Sequence, residues 1–348
     1  MTVAGDGSPD AVGRFLAVDS GGSGLRVVVG EVGNGRRSGP LSSGEPVRTG
    51  ARGIDAGHFM EQLVPMVRAL AEKAEASGVS GASEVGTAVI GAAGLATLGD
   101  GLRAELPGAL AREFGVRTVA LAADAVTAYA GALGARPGAV VAAGTGLIAI
   151  GTDLTGWRRA DGWGHLLGDC GGGAWIGRAG LEAALRAYDG RAGGSGALLS
   201  CAEEQFGAMA GLPGQLYPRS DRPAVLAAFA PRVAECAADD PVADGILRAA
   251  ARHMTESAVA VCPATGEPQV ALTGGLFKMG EPLFVPLHEG LAKRLPHVRV
   301  VPAEGDPLDG AVRIARDLAA GALALPCDDV MLSVVSPEGL HGEPKGTR

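Results

Sequence analysis

Residues 17–29, with the sequence AVDSGGSGLRVVV, decide the fold of this chain. An apolar run ends at Asp19, a turn of glycines and serines follows, and a second run rich in β-branched residues begins after it. Two apolar runs joined by a glycine turn predict a buried β-hairpin. Because glycines lack a Cβ atom and leave backbone N–H groups accessible, this turn can approach an anion such as phosphate, to which the Ser23 hydroxyl adds a donor.

The same pattern returns about 120 residues later, in residues 139–151, AVVAAGTGLIAIG. Its glycine turn contains Thr145, a second hydroxyl donor. A third glycine turn, TGG at residues 273–275, follows another apolar run. One such turn alone is equally typical of an ordinary hairpin, but three of them favour a nucleotide phosphate site.

The segments between these turns predict a duplicated α/β architecture. Each hairpin is followed by helices and further short strands, and two such lobes would face each other across a cleft. Ligands of α/β proteins bind at the carboxyl ends of strands, where these turns gather. The apolar spacing predicts strands over 15–18, 25–32, 85–91 and 117–123. It predicts helices over 58–77 and 309–325, and a further helix that begins at Asp124 as its N-cap.

The division of the chain follows from this pattern. We expect a polar, loose tail from Asp328, and a flexible leader before the first strand. The expected parts are a leader at 1–13, an N-terminal lobe at 14–134 plus 309–327, a C-terminal lobe at 135–308, and a tail at 328–348.

Composition excludes several classes of protein. The 348 residues carry a formal net charge of -8 and no basic tract, so we expect no nucleic-acid partner. No apolar run reaches membrane-spanning length, and no signal peptide is recognisable, so we expect no membrane partner and a cytoplasmic location. The five cysteines are scattered without a CxxC pair, which predicts reduced thiols and no zinc or iron–sulfur site.

Five motifs resemble, in this order, the N-acetylglucosamine kinase and BadF-type branch of the sugar kinase/Hsp70/actin superfamily. They are DSGGSGLR, DAVTA, AAGTG, DGWGHLLGDCGGGAWIG and LTGG, and the resemblance covers roughly residues 15–325. Neither a P-loop nor a GxGxxG Rossmann opening occurs in the required context. The resemblance implies duplicated actin-like, ribonuclease H-like domains, and within the branch the chain is most similar to actinobacterial glucosamine kinases.

The resemblance also implies a role for each motif. Asp19 would help to hold Mg²⁺, and Asp124, at the start of a helix, would be the general base for a sugar hydroxyl. Asp169, bracketed by glycines, would accept hydrogen bonds from the sugar. The nucleotide contacts implied are Gly21, Gly22, Ser23, Gly144, Thr145, Gly274, Gly275 and Lys278; those to the sugar are Asp124, Gly146, Asp161, Gly162, Trp163, Gly164, His165 and Asp169.

The sequence departs from the family pattern around the sugar. Asp161 stands in a glycine position, Cys170 and three glycines replace a Glu-Gly-Ser segment, and Gly50 aligns where many N-acetylglucosamine kinases carry asparagine. A carboxylate beside the sugar would favour the ammonium of glucosamine over an acetamide. We therefore expect ATP-dependent phosphorylation of the 6-hydroxyl of glucosamine, with Asp161 as a candidate reader of the amine.

Three alternatives stay open. The same enzyme could act on N-acetylglucosamine, which is the nearest rival. A BadF-type activator ATPase would need cysteines that bridge a cluster between subunits, and the spacing shows no such pair. A sugar-responsive regulator would need an N-terminal helix-turn-helix, for which only about 14 residues precede the first strand. By family likeness we expect a homodimer that binds glucosamine and ATP.

Overall fold

The structure is a computed structural model that describes residues 13–336, except 23, 34, 51–52 and 77–84. The expected leader, apart from Gly13, and the last twelve residues lie outside the described part. The chain gathers into two compact units. Unit 1 comprises Met1–Ala135, Leu154–Gly156 and Glu304–Arg348, and unit 2 comprises Arg136–Asp153 and Trp157–Ala303.

Both units mix strands and helices. The strands are β1 Arg14–Gly21, β2 Gly24–Glu31, β3 Arg37–Ser42, β4 Thr49–Gly50, β5 Gly53–Ile54, β6 Val85–Ala92, β7 Thr118–Ala123, β8 Gly138–Ala143, β9 Leu147–Thr152, β10 Trp157–Asp161, β11 Gln269–Thr273, β12 Arg299–Pro302 and β13 Leu332–Val335. The helices are α1 Ala56–Ala76, α2 Leu95–Leu98, α3 Asp100–Phe114, α4 Asp124–Leu133, α5 Gly173–Tyr188, α6 Gly196–Phe206, α7 Leu212–Leu216, α8 Arg222–Ala227, α9 Ala230–Cys236, α10 Pro241–Val261, α11 Glu281–Arg294 and α12 Pro307–Ala319. Short 3-10 turns lie at Met209–Gly211 and Gly275–Met279.

The two main sheets share one strand order, which confirms the predicted duplication. Unit 1 has the order β13-β7-β6-β1-β2-β3, and unit 2 has β10-β9-β8-β11-β12. In each unit the first three strands pair antiparallel in chain order. On its other side the first strand pairs with a parallel strand, which in turn pairs with a second parallel strand. Unit 1 adds β13, antiparallel to β7, at its outer edge. A small two-stranded sheet pairs β4 with β5.

Each unit has its own apolar core. In unit 1, α1 and α3 bury Phe59, Leu63 and Leu102 against Leu16 and other residues of the sheet. In unit 2, α5 and α10 bury apolar side chains such as Ile176 and Leu247 against β8 and β9. None of the described helices is long and apolar enough to cross a membrane.

Close approach between helices positions the end of the sheet in unit 1. The pair α4 and α12 packs tightly because two glycines face backbone. A Cβ atom on Gly310 would lie 1.9 Å from the Thr127 carbonyl oxygen, and one on Gly131 would lie 2.0 Å from that of Asp306. Only glycine fits at either position, so α4 is held firmly at the start of its first turn.

Several boundaries differ from the sequence expectations. The prediction of Asp124 as an N-cap is wrong: Ala123 occupies the cap, and Asp124 is the first helical residue. The last helix begins at Pro307 and ends at Ala319, because Asp306 caps it in a capping box with Asp309. The polar tail contains β13, in which Leu332 is completely buried against the sheet.

Candidate functional site

The candidate catalytic and metal residues of unit 1 lie at one edge of its sheet. In the parallel register Asp19 of β1 faces Gly91 of β6, which faces Ala122 of β7. Asp124 follows two residues after Ala122, at the carboxyl end of the sheet. Neighbouring strands lie about 4.8 Å apart, so two strand spacings, roughly 10 Å, separate the Asp19 and Ala122 positions. This edge is where α/β folds bind ligands.

Asp19 is the more buried end of a chain of three charged side chains that runs through Arg26 to the exposed Asp306. The Arg26 guanidinium donates to Asp19 Oδ2 through Nε at 3.0 Å and Nη2 at 2.6 Å, and to Asp306 Oδ2 through Nη1 at 2.6 Å. Burial raises the pKa of Asp19, and Arg26 opposes that shift. Asp19 and Arg26 are directly opposite in the hairpin. Arg26 therefore links the hairpin of β1 and β2 to the start of α12.

The fit of Asp19 to Mg²⁺ is limited to a supporting role. No group of three or more metal-binding side chains occurs among the described residues. Mg²⁺ in phosphoryl-transfer enzymes is bound by one or two carboxylates together with phosphate oxygens and waters. Asp19 is a carboxylate of that kind, and Arg26 donates two hydrogen bonds to its Oδ2.

Asp124 is fixed by the helix that it begins. Its Oδ1 accepts a hydrogen bond from the Ala125 N–H at 2.9 Å, and its carbonyl accepts one from the buried Thr127 hydroxyl at 2.9 Å. The side chain of Thr127 fills the space over Gly91, where a Cβ would lie 2.7 Å away from it. Asp124 is half-buried, whereas every later residue of the helix is buried. A carboxylate at a helix N-terminus is stabilised in its ionised form and can accept a proton.

The glycines of the three turns fall into two groups. No described atom outside the neighbouring residues lies within 4 Å of a Cβ atom built on Gly21, Gly22, Gly144 or Gly275. These four glycines have no packing role against the described residues, which leaves room for a ligand to approach them. Ser23, predicted to contact phosphate, lies outside the described residues.

The second glycine turn is bound to the N-terminus of α5. The Gly173 N–H donates to the Gly144 carbonyl at 2.9 Å, and the Ala174 N–H donates to the Thr145 carbonyl at 2.8 Å. A Cβ on Gly172 would lie 2.6 Å from the carbonyl carbon of Gly146. The glycines that replace the family's Glu-Gly-Ser segment thus allow close contact between this turn and α5.

Asp169 lies directly against the same turn. A Cβ on Gly146 would lie 2.3 Å from Asp169 Oδ2, so a larger residue there would displace the Asp169 carboxylate. The carboxylate accepts a hydrogen bond from the Gly164 N–H at 2.9 Å. Burial raises the pKa of Asp169, the Gly164 hydrogen bond opposes this, and the charge of Asp161 adds to it. Asp169, which is predicted to bind the sugar, therefore contacts the glycine turn that is predicted to bind phosphate.

Asp161 holds the segment that carries Asp169. Its Oδ1 accepts from the Asp169 N–H at 2.6 Å, and its Oδ2 accepts from the Cys170 N–H at 2.8 Å. Both aspartates adopt left-handed backbone conformations, with φ of 60° at Asp161 and 54° at Asp169. Asp161 is thus a positioning residue in this geometry, and its contact with a sugar amine stays a prediction.

The other predicted sugar contacts form one loop between β10 and α5. Trp163 is 61% exposed, and the Arg159 guanidinium lies 4.1 Å from the centre of its ring. Gly162 and Gly164 have positive φ values, 74° and 83°, which turn the loop on each side of Trp163. His165 lines an apolar cavity of about 610 Å³ beside α5 and α7.

The third glycine turn lies beside the second. Gly274 has a φ of 111°, and a Cβ on it would lie 2.2 Å from the Ala143 carbonyl oxygen, next to Gly144. This contact follows from the parallel pairing of β8 with β11, whose carboxyl ends meet at one edge. Lys278 follows on the exposed side of a 3-10 turn.

Sequence reasoning missed Arg26, the partner of Asp19, and Asp306, the second partner of Arg26. Arg26 could have been found from the hairpin register, because a tight turn at 22–23 places it opposite Asp19. Asp306 could not, since it is 280 residues from Arg26. The structure brings together the predicted residues within each unit: Asp19, Gly21, Gly22 and Asp124 in unit 1, and Gly144–Gly146, Asp161–His165, Asp169, Gly274, Gly275 and Lys278 in unit 2.

Solved structures similar to this chain share its fold. A candidate N-acetylglucosamine kinase from Chromobacterium violaceum is 26% identical, with a TM-score of 0.63 over 87% of this chain and 99% of that one. A candidate N-acetylglucosamine kinase from Porphyromonas gingivalis is 16% identical, with a TM-score of 0.65 and the same coverage of both chains. A ROK-family glucokinase from Streptomyces griseus, in complex with glucose and AMPPNP, is 21% identical with a TM-score of 0.51, over 89% of this chain and all of that one.

The family assignment rests on sequence. No curated protein matches this chain. Residues 16–314 match the BadF/BadG/BcrA/BcrD ATPase family, which accounts for most of the chain and includes all the predicted site residues. With its duplicated actin-like α/β fold, this chain belongs to the BadF/BadG/BcrA/BcrD ATPase family.

Proposed function

We propose that this protein is an ATP-dependent sugar kinase that phosphorylates the 6-hydroxyl of glucosamine. The contact between Asp169 and Gly146 carries the proposal. Asp169 would bind the sugar hydroxyls, and the glycine turn at 144–146 would bind the phosphates of ATP. Their contact suits a reaction in which the sugar and the γ-phosphate must be adjacent. The similarity to candidate N-acetylglucosamine kinases and to a glucokinase supports the same class of reaction.

In the proposed reaction, Asp124 accepts the proton of the sugar 6-hydroxyl as the oxygen attacks the γ-phosphorus of ATP. Its place at a helix N-terminus keeps the carboxylate ionised and ready to accept this proton. The glycine turns bind the phosphates through backbone N–H groups. Mg²⁺ bound with ATP would neutralise phosphate charge, and Asp19 would help to hold it. Asp169 orients the sugar, and Asp161 holds Asp169 in place.

Local charge supports glucosamine as the sugar. Asp161 lies close enough to Asp169 for its charge to raise the pKa of the Asp169 carboxyl. In the described part of the chain, no lysine or arginine forms an ion pair with either carboxylate. An ammonium group on the ligand would compensate this negative charge, whereas an acetamide would not.

N-acetylglucosamine is the second candidate substrate. The observation in its favour is the likeness to the Chromobacterium violaceum protein, at 26% identity over 87% of this chain. The two sugars differ only in the substituent at C2, so the choice between them depends on contacts around that atom.

A substrate panel tests the proposal. Initial rates of ADP release are measured with glucosamine, N-acetylglucosamine, glucose and mannosamine at one fixed concentration of Mg-ATP, and the phosphorylated position is identified by NMR. We expect the highest kcat/KM for glucosamine, with the phosphate on O6. A preference for N-acetylglucosamine would select the second candidate, and no sugar-dependent ADP release at all would refute the kinase.

A further inference from the structure

We propose that Cys201 and Cys236 form a reactive dithiol, which low-molecular-weight disulfides oxidise to an intramolecular disulfide. The two Sγ atoms lie 3.7 Å apart, although 35 residues separate them in the sequence. The spacing of the cysteines in the sequence did not predict this contact. The site is distinct from the proposed kinase residues and does not depend on that activity.

Helical periodicity places the two thiols face to face. Cys201 and Glu204 lie three residues apart on α6, and Arg232 and Cys236 lie four residues apart on α9, so each pair shares one face of its helix. The Arg232 guanidinium forms an ion pair with Glu204 across the interface and another with Glu235 of its own helix, at 2.9 Å. This ion pair holds the two thiol-bearing faces together.

The two thiols have different surroundings. Arg232, which pairs with Glu204 across the two helices, lies within hydrogen-bonding reach of Cys201. Burial, followed by the hydrogen bond and charge of Cys201, raises the pKa of Cys236 to about 11. Both side chains are half-buried and therefore accessible to a small reagent. Cys201 is thus the attacking thiol and Cys236 the resolving thiol.

The reaction is a pair of thiol–disulfide exchanges. The Cys201 thiolate attacks one sulfur of a reagent RSSR, the RS–SR bond breaks, and RS⁻ leaves, which gives a mixed disulfide on Cys201. Cys236 then loses its proton to solvent and attacks Cys201 Sγ, which releases the second RS⁻. The protein loses two protons and two electrons, RSSR is reduced to two RSH, and excess thiol reverses both steps.

Two of the other three cysteines serve as internal controls. Cys262 is buried, at 7% exposure, and burial raises the pKa of its thiol to about 11. Cys327 is an exposed residue, and partial desolvation of its thiol together with the charge of Asp328 raises its pKa. Among the described cysteines, only Cys201 and Cys236 make a thiol–thiol contact, so only they can close an intramolecular bond without a large movement.

Peptide mapping of the full-length protein tests the proposal. The reduced protein is exposed to oxidised glutathione, alkylated, digested without reductant and analysed by mass spectrometry. We expect a cross-linked peptide that contains Cys201 and Cys236, a mass loss of about 2 Da, and full reversal by excess glutathione. If both thiols remain as free as Cys262 under conditions that glutathionylate Cys327, the proposal is wrong.

Two single variants test the order of the steps. In Cys236→Ser, glutathione should remain on Cys201 as a stable adduct. In Cys201→Ser, Cys236 should react with oxidised glutathione at least about tenfold more slowly than Cys201 does in Cys236→Ser. The reason is that little of the Cys236 thiol is ionised at neutral pH. Cys327→Ser is the matched control and should retain the cross-link. Glutathione found on Cys236, with Cys201 free, would overturn the assignment, and the wild-type map stands even if a variant fails to fold.

Discussion

Three of the four candidate-site aspartates bind backbone N–H groups through their carboxylates. Asp124 accepts a hydrogen bond at Oδ1 from the next residue. Asp161 uses both oxygens to hold the backbone of residues 169 and 170. Asp169 accepts a hydrogen bond from Gly164 and lies beside a glycine turn. In the proposed reaction these residues are the proton acceptor, the positioning group and the sugar-binding group, in that order.

Substitution of Asp124 tests the proton acceptor. Asp124→Asn should reduce kcat by about 10²–10⁴-fold with little change in sugar affinity, because the amide cannot accept the proton but keeps the shape. Asp100→Asn is the matched control: Asp100 is also the first residue of a helix in unit 1, and it is fully exposed. Stopped-flow or steady-state ADP release gives kcat, and calorimetry gives the sugar affinity. A variant with near wild-type kcat would remove Asp124 from the reaction.

Substitution of Asp161 separates positioning from amine reading. In Asp161→Asn, an NH₂ group replaces one of the two acceptors, so either the Asp169 or the Cys170 N–H loses its partner. We expect KM for glucosamine and for glucose to rise together, by about tenfold or more, because Asp169 is displaced for both sugars. A rise confined to glucosamine would instead support the predicted contact between Asp161 and the amine.

At the scale of elements, the strands that were predictable are those with a buried apolar run. The hairpin strands and the two central parallel strands carry that signal, as in the run VVAA of β8. The edge strands β3, β10 and β13 do not, because their sequences are mixed and their stability comes from pairing with a neighbour. The same reason hides the Arg26–Asp306 pair, which exists only once α12 has packed beside the hairpin.

The two kinds of glycine predict two kinds of defect. In Gly172→Ala the new methyl group would lie 2.6 Å from the backbone of Gly146, so the turn and α5 must separate. We expect a destabilisation of about 1–3 kcal/mol, as in other overpacked positions.

In Gly144→Ala nothing within the described chain obstructs the methyl group, so stability should be unchanged. The KM for ATP should rise instead, since the methyl group occupies space that a phosphate would approach. Urea unfolding and steady-state kinetics on both variants make the comparison. Equal losses of stability would mean that both glycines are required for packing alone.

At the scale of the whole molecule, the repeated sheet order means that each unit buries its own core. Each unit also contains a helix that an aspartate caps. Asp306 caps α12 in unit 1, and Asp240 caps α10 in unit 2. Burial opposes ionisation at both caps, but hydrogen bonds outweigh it, so the pKa of each carboxyl is lowered from its usual value of 3.8. All three tryptophans lie in unit 2, so their fluorescence reports that unit alone.

Acid unfolding should therefore distinguish the two units. A lowered folded-state pKa gives stability that is present above about pH 3.8 and is lost as the pH falls through the folded-state value. Asp240→Asn keeps a capping oxygen for the Val242 and Ala243 N–H groups but removes the charge. We expect it to flatten the pH dependence of the fluorescence-detected unfolding midpoint between about pH 2 and 5. Asp306→Asn should leave the fluorescence midpoint unchanged and alter only the circular dichroism transition. If both variants shift both signals equally, the units unfold as one cooperative body.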